Sequence, residues 1–174
     1  MPTAQRIIEL LNLVPHPEEG GFFRETYRSG ERAPLSALAS RYEPRENGAH
    51  RDLCTQIYYL LTPETFSAMH RVNSDETFHH YMGDPVEQLW LEDGGASRVV
   101  LIGDDLANGQ RPQITVPHGV WQGAHLAPGW SHGFALLGCT VAPGFEFVDY
   151  EMIDARELTR MHPDQPELIA QLCA

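Results

Sequence analysis

His70 and Glu76 stand six residues apart around an Asn73-Ser74-Asp75 turn, and His79 and His80 follow within four residues of Glu76. An imidazole and a carboxylate presented from adjacent strands suit two chemistries. They can ligate a first-row divalent metal, since nitrogen and carboxylate oxygen both bind such ions. They can also hand a proton to and from a small molecule, with His or Glu as general acid or base. A plain His–Glu hydrogen bond in a polar pocket is the third reading. Strand alternation puts His80 on the Glu76 side and His79 behind it, so His80 is the candidate to join His70 and Glu76 in proton transfer, or to add a metal ligand. Farther along, Pro117-His118-Gly119-Val120-Trp121-Gln122 supplies an amide, Gln122, whose oxygen could bind a metal weakly or orient a ligand.

The elements that must hold these groups are short strands. Apolar and β-branched runs at 55–61, 67–72, 77–82, 86–92, 97–102, 113–116, 122–126, 133–140 and 145–150 alternate with turn clusters such as Thr62-Pro63, Gly83-Asp84-Pro85 and Asp93-Gly94-Gly95. Such punctuation indicates an antiparallel sandwich or barrel, not βαβ units. In the run 67–72, Ala68, His70 and Val72 share one face while Met69 and Arg71 share the other. Ile7, Leu11 and Val14 recur at helical spacing, which predicts an amphipathic helix over 4–13 that Pro15 and Pro17 stop. An extended strand follows at 22–29, then a polar, Pro- and Gly-bearing excursion over 30–50. Asp164 caps a C-terminal helix that begins at Pro166 and carries Leu168, Ile169 and Leu172.

Several other side chains are candidates for ligand contact. Arg24 and Glu25 lie on the early strand, where Arg24 could grip an anion bidentately, although a surface salt bridge accounts for such residues equally well. Tyr58 and Tyr59 point to opposite faces, so one of them, Tyr59, can reach the interior, as a ligand contact or as an aromatic core residue with a satisfied hydroxyl. Trp121 and Trp130 could line a pocket near Gln122. The alternation Phe145-Glu146-Phe147 reads as a final strand with aromatic residues in the core or at an interface.

These segments resemble the two motifs of the cupin superfamily. The first, H-x-H-x(3,4)-E-x(6)-G, is matched by His70, Glu76 and Gly83, with Val72 at the second histidine; the second, P-x-G-x-x-H, is matched by Pro117 and Gly119, with Gln122 at the histidine. The blocks HPEEGGFFRETYRS, TQIYYLL, MHRVNSDETFHHYMGDPVEQLWL, PQITVPHGVWQGA and GFALLGCTVAPGFEFVDYE together are similar to one largely uncharacterised cupin family of RmlC-like fold. The resemblance implies a mainly β jelly-roll (double-stranded β-helix) barrel with short terminal helices, a single domain over 1–174 with the jelly roll at about 55–150, a homodimer, and a polar cavity. It implies a degenerate metal site of His70, Glu76 and Gln122 that holds a divalent ion weakly or not at all.

Composition narrows the functions further. A formal charge of −12 argues against nucleic-acid or anionic-membrane partners. All twelve cations are Arg, and the absence of Lys removes Schiff-base chemistry and a Walker-type phosphate loop. Cys54, Cys139 and Cys173 show no metal-finger spacing and an odd count, consistent with a reducing cytoplasm. The expectation is a cytoplasmic protein that binds a small polar ligand, carbohydrate-like or anionic, in its barrel. The alternatives are an epimerase- or isomerase-type enzyme using His70, Glu76 and His80, and a weakly metal-dependent enzyme.

Overall fold

A computed structural model describes residues 1–42 and 50–173; part of the polar excursion, 43–49, lies outside the described residues. In chain order the elements are α1 (Ala4–Leu11), β1 (Val14–Pro15), β2 (Phe22–Arg28), β3 (Arg32–Pro34), β4 (His50–Asp52), β5 (Thr55–Leu61), β6 (Ser67–Arg71), β7 (Asp75–Gly83) and β8 (Val86–Leu91). They continue with β9 (Ser97–Ile102), β10 (Gln113–Val116), β11 (Trp121–Leu126), β12 (Ala135–Ala142), β13 (Glu151–Met152), α2 (Ala155–Met161) and α3 (Pro166–Leu172).

Two antiparallel sheets face each other. One runs β1-β2-β5-β12-β7-β10, the other β13-β6-β11-β8-β9, and β3 pairs with β4 as a small separate hairpin. Strands with a partner on each side alternate inward and outward residues except where register shifts interrupt the β2–β5, β6–β11 and β7–β12 pairs, and the inward residues make the main core. Tyr59, Leu61, Phe78, Trp90, Val116, Ala124, Leu137 and Cys139 meet there between the sheets. The outward set of the second sheet, Met69, Leu89, Leu91 and Trp121, is covered by Leu158, Ile169 and Leu172 of α2 and α3. Leu60 and Leu136, behind the first sheet, pack on Ile7 of α1. Burying such side chains stabilises by about 1.5–3 kcal/mol each, so the helices act as lids on faces the sheets would otherwise expose.

The helices depart from the sequence expectation at their ends. Thr3 caps α1 by accepting from the Arg6 N–H, and Asn12, at φ 51°, ends it two residues early, so Val14 enters β1. Gln165 precedes Pro166 at the start of α3, while the Asp164 carboxylate instead accepts from Ser97. Asp154 caps α2, a helix the periodicity did not announce. The expected last strand over 145–150 is instead a 3₁₀ turn, Phe147–Asp149, leading into β13. A buried ion pair between Arg51 and Asp149 fixes that turn against β4. Among the described residues no helix is long and apolar enough to cross a membrane.

Candidate functional site

One end of the sandwich is left open as a cavity of about 100 Å³, and its walls include His16, Glu19, His70, Val72, Glu76, Cys139 and Tyr150. That is well above the ~10–15 Å³ one water needs, and below the ~300 Å³ typical of drug-sized sites. It suits a molecule of several non-hydrogen atoms.

Cross-strand register brings the polar groups together. On the second sheet His70, Gln122 and Trp90 lie side by side across β6, β11 and β8. On the first, Glu76 of β7 sits between Val116 and Val141. Glu19 arrives from the loop before β2. Gly20 and Gly21 have φ of 89° and 68°, and a Cβ on Gly20 would lie 2.5 Å from the Phe66 carbonyl oxygen, so only glycine permits this bend. The bend is tied to β6 by the Ala68 N–H donating to the Glu19 carbonyl at 2.8 Å and by the Ser67 hydroxyl donating to the Glu19 carboxylate.

His70 is 2 % exposed and stacks on Tyr150 with ring centroids 5.0 Å apart. Its Nδ1 lies 2.7 Å from the Ala68 carbonyl, which can only accept, so Nδ1 carries a proton in either charge state. Proton exchange is therefore confined to Nε2, which lies 3.9 Å from Glu19 Oε2. Glu76 is pushed up to about 7, first by burial and then by the nearby Glu19 carboxylate, against the opposing pull of His70 and the Gln122 hydrogen bond. A carboxylic acid that titrates near neutrality, beside an imidazole whose one free nitrogen faces the same space, is equipped to exchange protons.

The donor set does not fit a divalent metal. The Trp90 indole can only donate, and it donates to Gln88 Oε1 at 2.9 Å. Gln88 must then donate through Nε2 to Gln122 Oε1, at 2.9 Å, and Gln122 through Nε2 to Glu76 Oε2, at 2.8 Å. The indole thus orients both amides. Gln122 meets Glu76 with its N–H₂ and turns its carbonyl away, and Val72 adds only methyls where the cupin motif has a histidine. Among the described residues no three His, Cys, Asp or Glu side chains are placed to hold an ion. Of the expected triplet, Glu76 and Gln122 are joined in this hydrogen-bonded row, whereas His70 stands apart from it, bonded to the Ala68 carbonyl, and Gln122 is absent from the cavity lining that His70 and Glu76 share.

The remaining sequence candidates divide. Glu25 reaches the cavity mouth, and Arg24 does not. A bulge between Glu25 and Tyr27 shifts the face of β2, so Arg28 takes the inward position and bonds Glu25 and Asp52 at 2.7 and 3.0 Å. Tyr59 points inward but is fully buried, its hydroxyl donating to the Gly20 carbonyl at 2.9 Å. Trp121 faces the helices behind the second sheet, under Arg71. His79 lies on the outer face against Thr140, and the His80 ring is held by the Asp84 carbonyl at 3.2 Å, away from the cavity. Sequence reasoning missed His16, Arg28 and Tyr150 and gave Glu19 no role. Their only signal was membership of the conspicuous blocks HPEEGGFFRETYRS and FEFVDYE.

Comparison with known proteins agrees with this architecture. Residues 5–153 match the profile of Cupin_5, described as cupin superfamily (DUF985). The chain belongs to this family. Two solved Cupin_5-like structures superpose over almost the whole chain: protein SO0799 from Shewanella oneidensis, 33% identical with a TM-score of 0.84 over 100% of this chain and 99% of that one, and a hypothetical protein from Leishmania major, 33% identical with a TM-score of 0.83 over 98% of each. An uncharacterised yeast protein, YML079W of Saccharomyces cerevisiae, is 29% identical over 98% of this chain and 84% of its own length. Membership of Cupin_5 fixes the jelly-roll fold and leaves the reaction to be argued from the cavity, because one fold hosts many chemistries.

Proposed function

We propose that this Cupin_5 protein binds a small polar molecule in the open end of its barrel and can move a proton to or from it through Glu76 and His70. The observation that carries this reading is the convergence of Glu19, Glu76 and His70 Nε2 on one enclosed space, with Glu76 pushed up to about 7. The charge of the walls selects the ligand. Glu19, Glu25 and Glu76 line the cavity, and Arg28, the one Arg among its described lining residues, is already engaged by Glu25 and Asp52. That balance disfavours an anion and favours a neutral, hydroxyl-rich or cationic molecule.

The experiment has two arms. Native mass spectrometry of the purified protein identifies what it retains, and proton NMR in deuterated water follows exchange at carbon in a panel of small keto and hydroxy compounds. A bound neutral molecule, with deuterium uptake that His70→Ala and Glu76→Gln abolish, is the expected result. Retention of the ligand with undiminished affinity in both variants, and no exchange in the parent protein, would reduce the function to binding alone. Binding that is confined to phosphates or carboxylates would overturn the reading.

A further inference from the structure

Two polar hydrogens on residues that line the cavity have no acceptor among the described residues. Tyr150 Oη is buried and has no hydrogen-bond partner among the described residues. A hydroxyl shut away from water without a partner is unfavourable, and native proteins keep such groups few. Yet its ring is held in place by stacking on His70. Burial, followed by Glu19, Glu18 and Glu76, pushes the hydroxyl well above the usual tyrosine range, so it stays protonated.

His16 supplies the second hydrogen. Its Nδ1 accepts the backbone N–H of Glu19 at 2.9 Å and of Glu18 at 3.4 Å. A nitrogen that accepts cannot carry a proton, so the ring hydrogen is on Nε2. Protonating Nδ1 would aim an N–H at two other N–H groups, so the turn itself holds this imidazole neutral; burial acts in the same direction. The closest carboxylate oxygen to Nε2, Glu19 Oε2, is 3.9 Å away, too far for a hydrogen bond. The ring is wedged edge-on against Phe23 at 4.6 Å and is 5 % exposed, which prevents it from turning to find another partner. His16 and His70 are therefore opposites: both rings are fixed at Nδ1 by backbone, but His16 shows the cavity a permanent donor and His70 the nitrogen that exchanges its proton.

We propose that His16 Nε2–H and Tyr150 Oη–H form a two-donor subsite that receives the uncharged carbonyl oxygen of the ligand, so that the protein takes small neutral aldehydes or ketones in preference to carboxylates. This rests on the reading of the cavity as a ligand site. Two neutral donors stabilise a carbonyl oxygen without adding positive charge, and a carboxylate brought into the same space would face Glu19 and Glu76 with no free cation among the described lining residues to offset it.

Hydroxyacetone and pyruvate share a three-carbon keto skeleton and differ in charge, which makes them the probes. In protein labelled with ¹⁵N at histidine, His16 is expected to show the neutral Nε2–H tautomer at neutral pH, with protonation displaced to lower pH than in a free imidazole. Hydroxyacetone should move that resonance and bind at least about tenfold more tightly than pyruvate. His16→Phe and Tyr150→Phe should each weaken hydroxyacetone about tenfold, while His16→Gln, which keeps an N–H near the same place, stays within about threefold. Tyr150→Phe removes a hydroxyl that bonds to nothing, so its melting temperature should not fall, and this variant carries the test even if His16→Phe does not fold. An Nδ1–H tautomer or an imidazolium at His16, pyruvate binding as tight as hydroxyacetone, or full affinity in Tyr150→Phe would each overturn the subsite. In the last case shifts at His70 and Glu76 would leave the cavity reading standing. If neither probe moves any cavity resonance at high-millimolar concentration, both fall.

Discussion

Strand β7 has a buried carboxylate at each end, and the two behave in opposite ways. Asp84, just past the strand, is 2 % exposed, and burial alone would raise it. Instead it is lowered, because the backbone N–H groups of Ser131, His132 and Gly133 and the Ser131 hydroxyl all donate to it. Glu76, near the start of β7, is 8 % exposed and receives a hydrogen bond from Gln122, with a second carboxylate close by, and it is raised. Four donors outweigh desolvation at Asp84, whereas at Glu76 the Gln122 donor does not, which separates a residue that holds a loop from one equipped to exchange a proton. The same difference divides the Arg51–Asp149 pair, which anchors the 147–149 turn, from the His16, His70 and Tyr150 cluster on the cavity wall, where Tyr150 Oη has no partner among the described residues and the two Nε2 atoms lie 3.9 Å from Glu19.

The largest expected effect is at Asp84. Asp84→Ala removes the charged acceptor of four donors on a partly exposed loop, and hydrogen bonds to a charged group are worth about 1.5–3 kcal/mol each, so chemical denaturation should report a loss of about 4 kcal/mol and a loosened 131–133 loop. The contribution of Asp84 is present above its ordinary value of 3.8 and disappears as pH falls through its lower folded value. An Asp84→Ala protein as stable as the parent would erase the contrast.

Glu76→Gln should act with the opposite sign. Between the ordinary value of 4.5 and about 7 the folded chain keeps a proton that the unfolded chain has released, so stability falls as pH rises across that window. Removing the titration should therefore stabilise the protein above pH 7 by at most about 3 kcal/mol, with the gain shrinking to nothing as pH approaches 4.5. Denaturation curves at several pH values check this, and a destabilised Glu76→Gln at alkaline pH would place Glu76 with Asp84 among the anchors.

Smaller effects sharpen the account of the row behind Glu76. Trp90→Phe removes the indole donor that orients Gln88 and Gln122, at about 1 kcal/mol, and Gln122→Leu should drive the Glu76 midpoint still higher because the donor to its carboxylate is lost. Glu19→Gln should move that midpoint down, since a neighbouring negative charge is gone. Carbon-13 NMR of the Glu76 carboxyl reads both shifts, and movement in the same direction in the two variants would contradict the stated causes.

Local pattern carried most of the fold. Alternating short runs broken by Gly, Pro and Asp turns gave strands such as β5, β9 and β10 with their observed bounds, and the inward face of His70 followed from its position two residues from Ala68. The aromatic alternation of 145–147 failed as a strand signal because Arg51, distant in sequence, captures Asp149 and winds the segment into a turn. Arg24 was the legible cation, but it lies on the face opposite Glu25, and a one-residue bulge after Glu25, which leaves no reliable mark in composition, turned Arg28 inward in place of Tyr27. Likewise Gln122 was recognisable as an amide near Glu76, while its direction depended on Trp90 in a neighbouring strand.

What the residues alone determined was the class of architecture and two of the polar groups that line its cavity, His70 and Glu76, because periodicity and turn chemistry are properties of neighbours along the chain. The tertiary structure decided which atoms of those groups are free, which way the amides point, and that His16, Glu19 and Tyr150 join them. Those are properties of hydrogen-bond partners many residues apart, and a donor has no direction until its partner is in place.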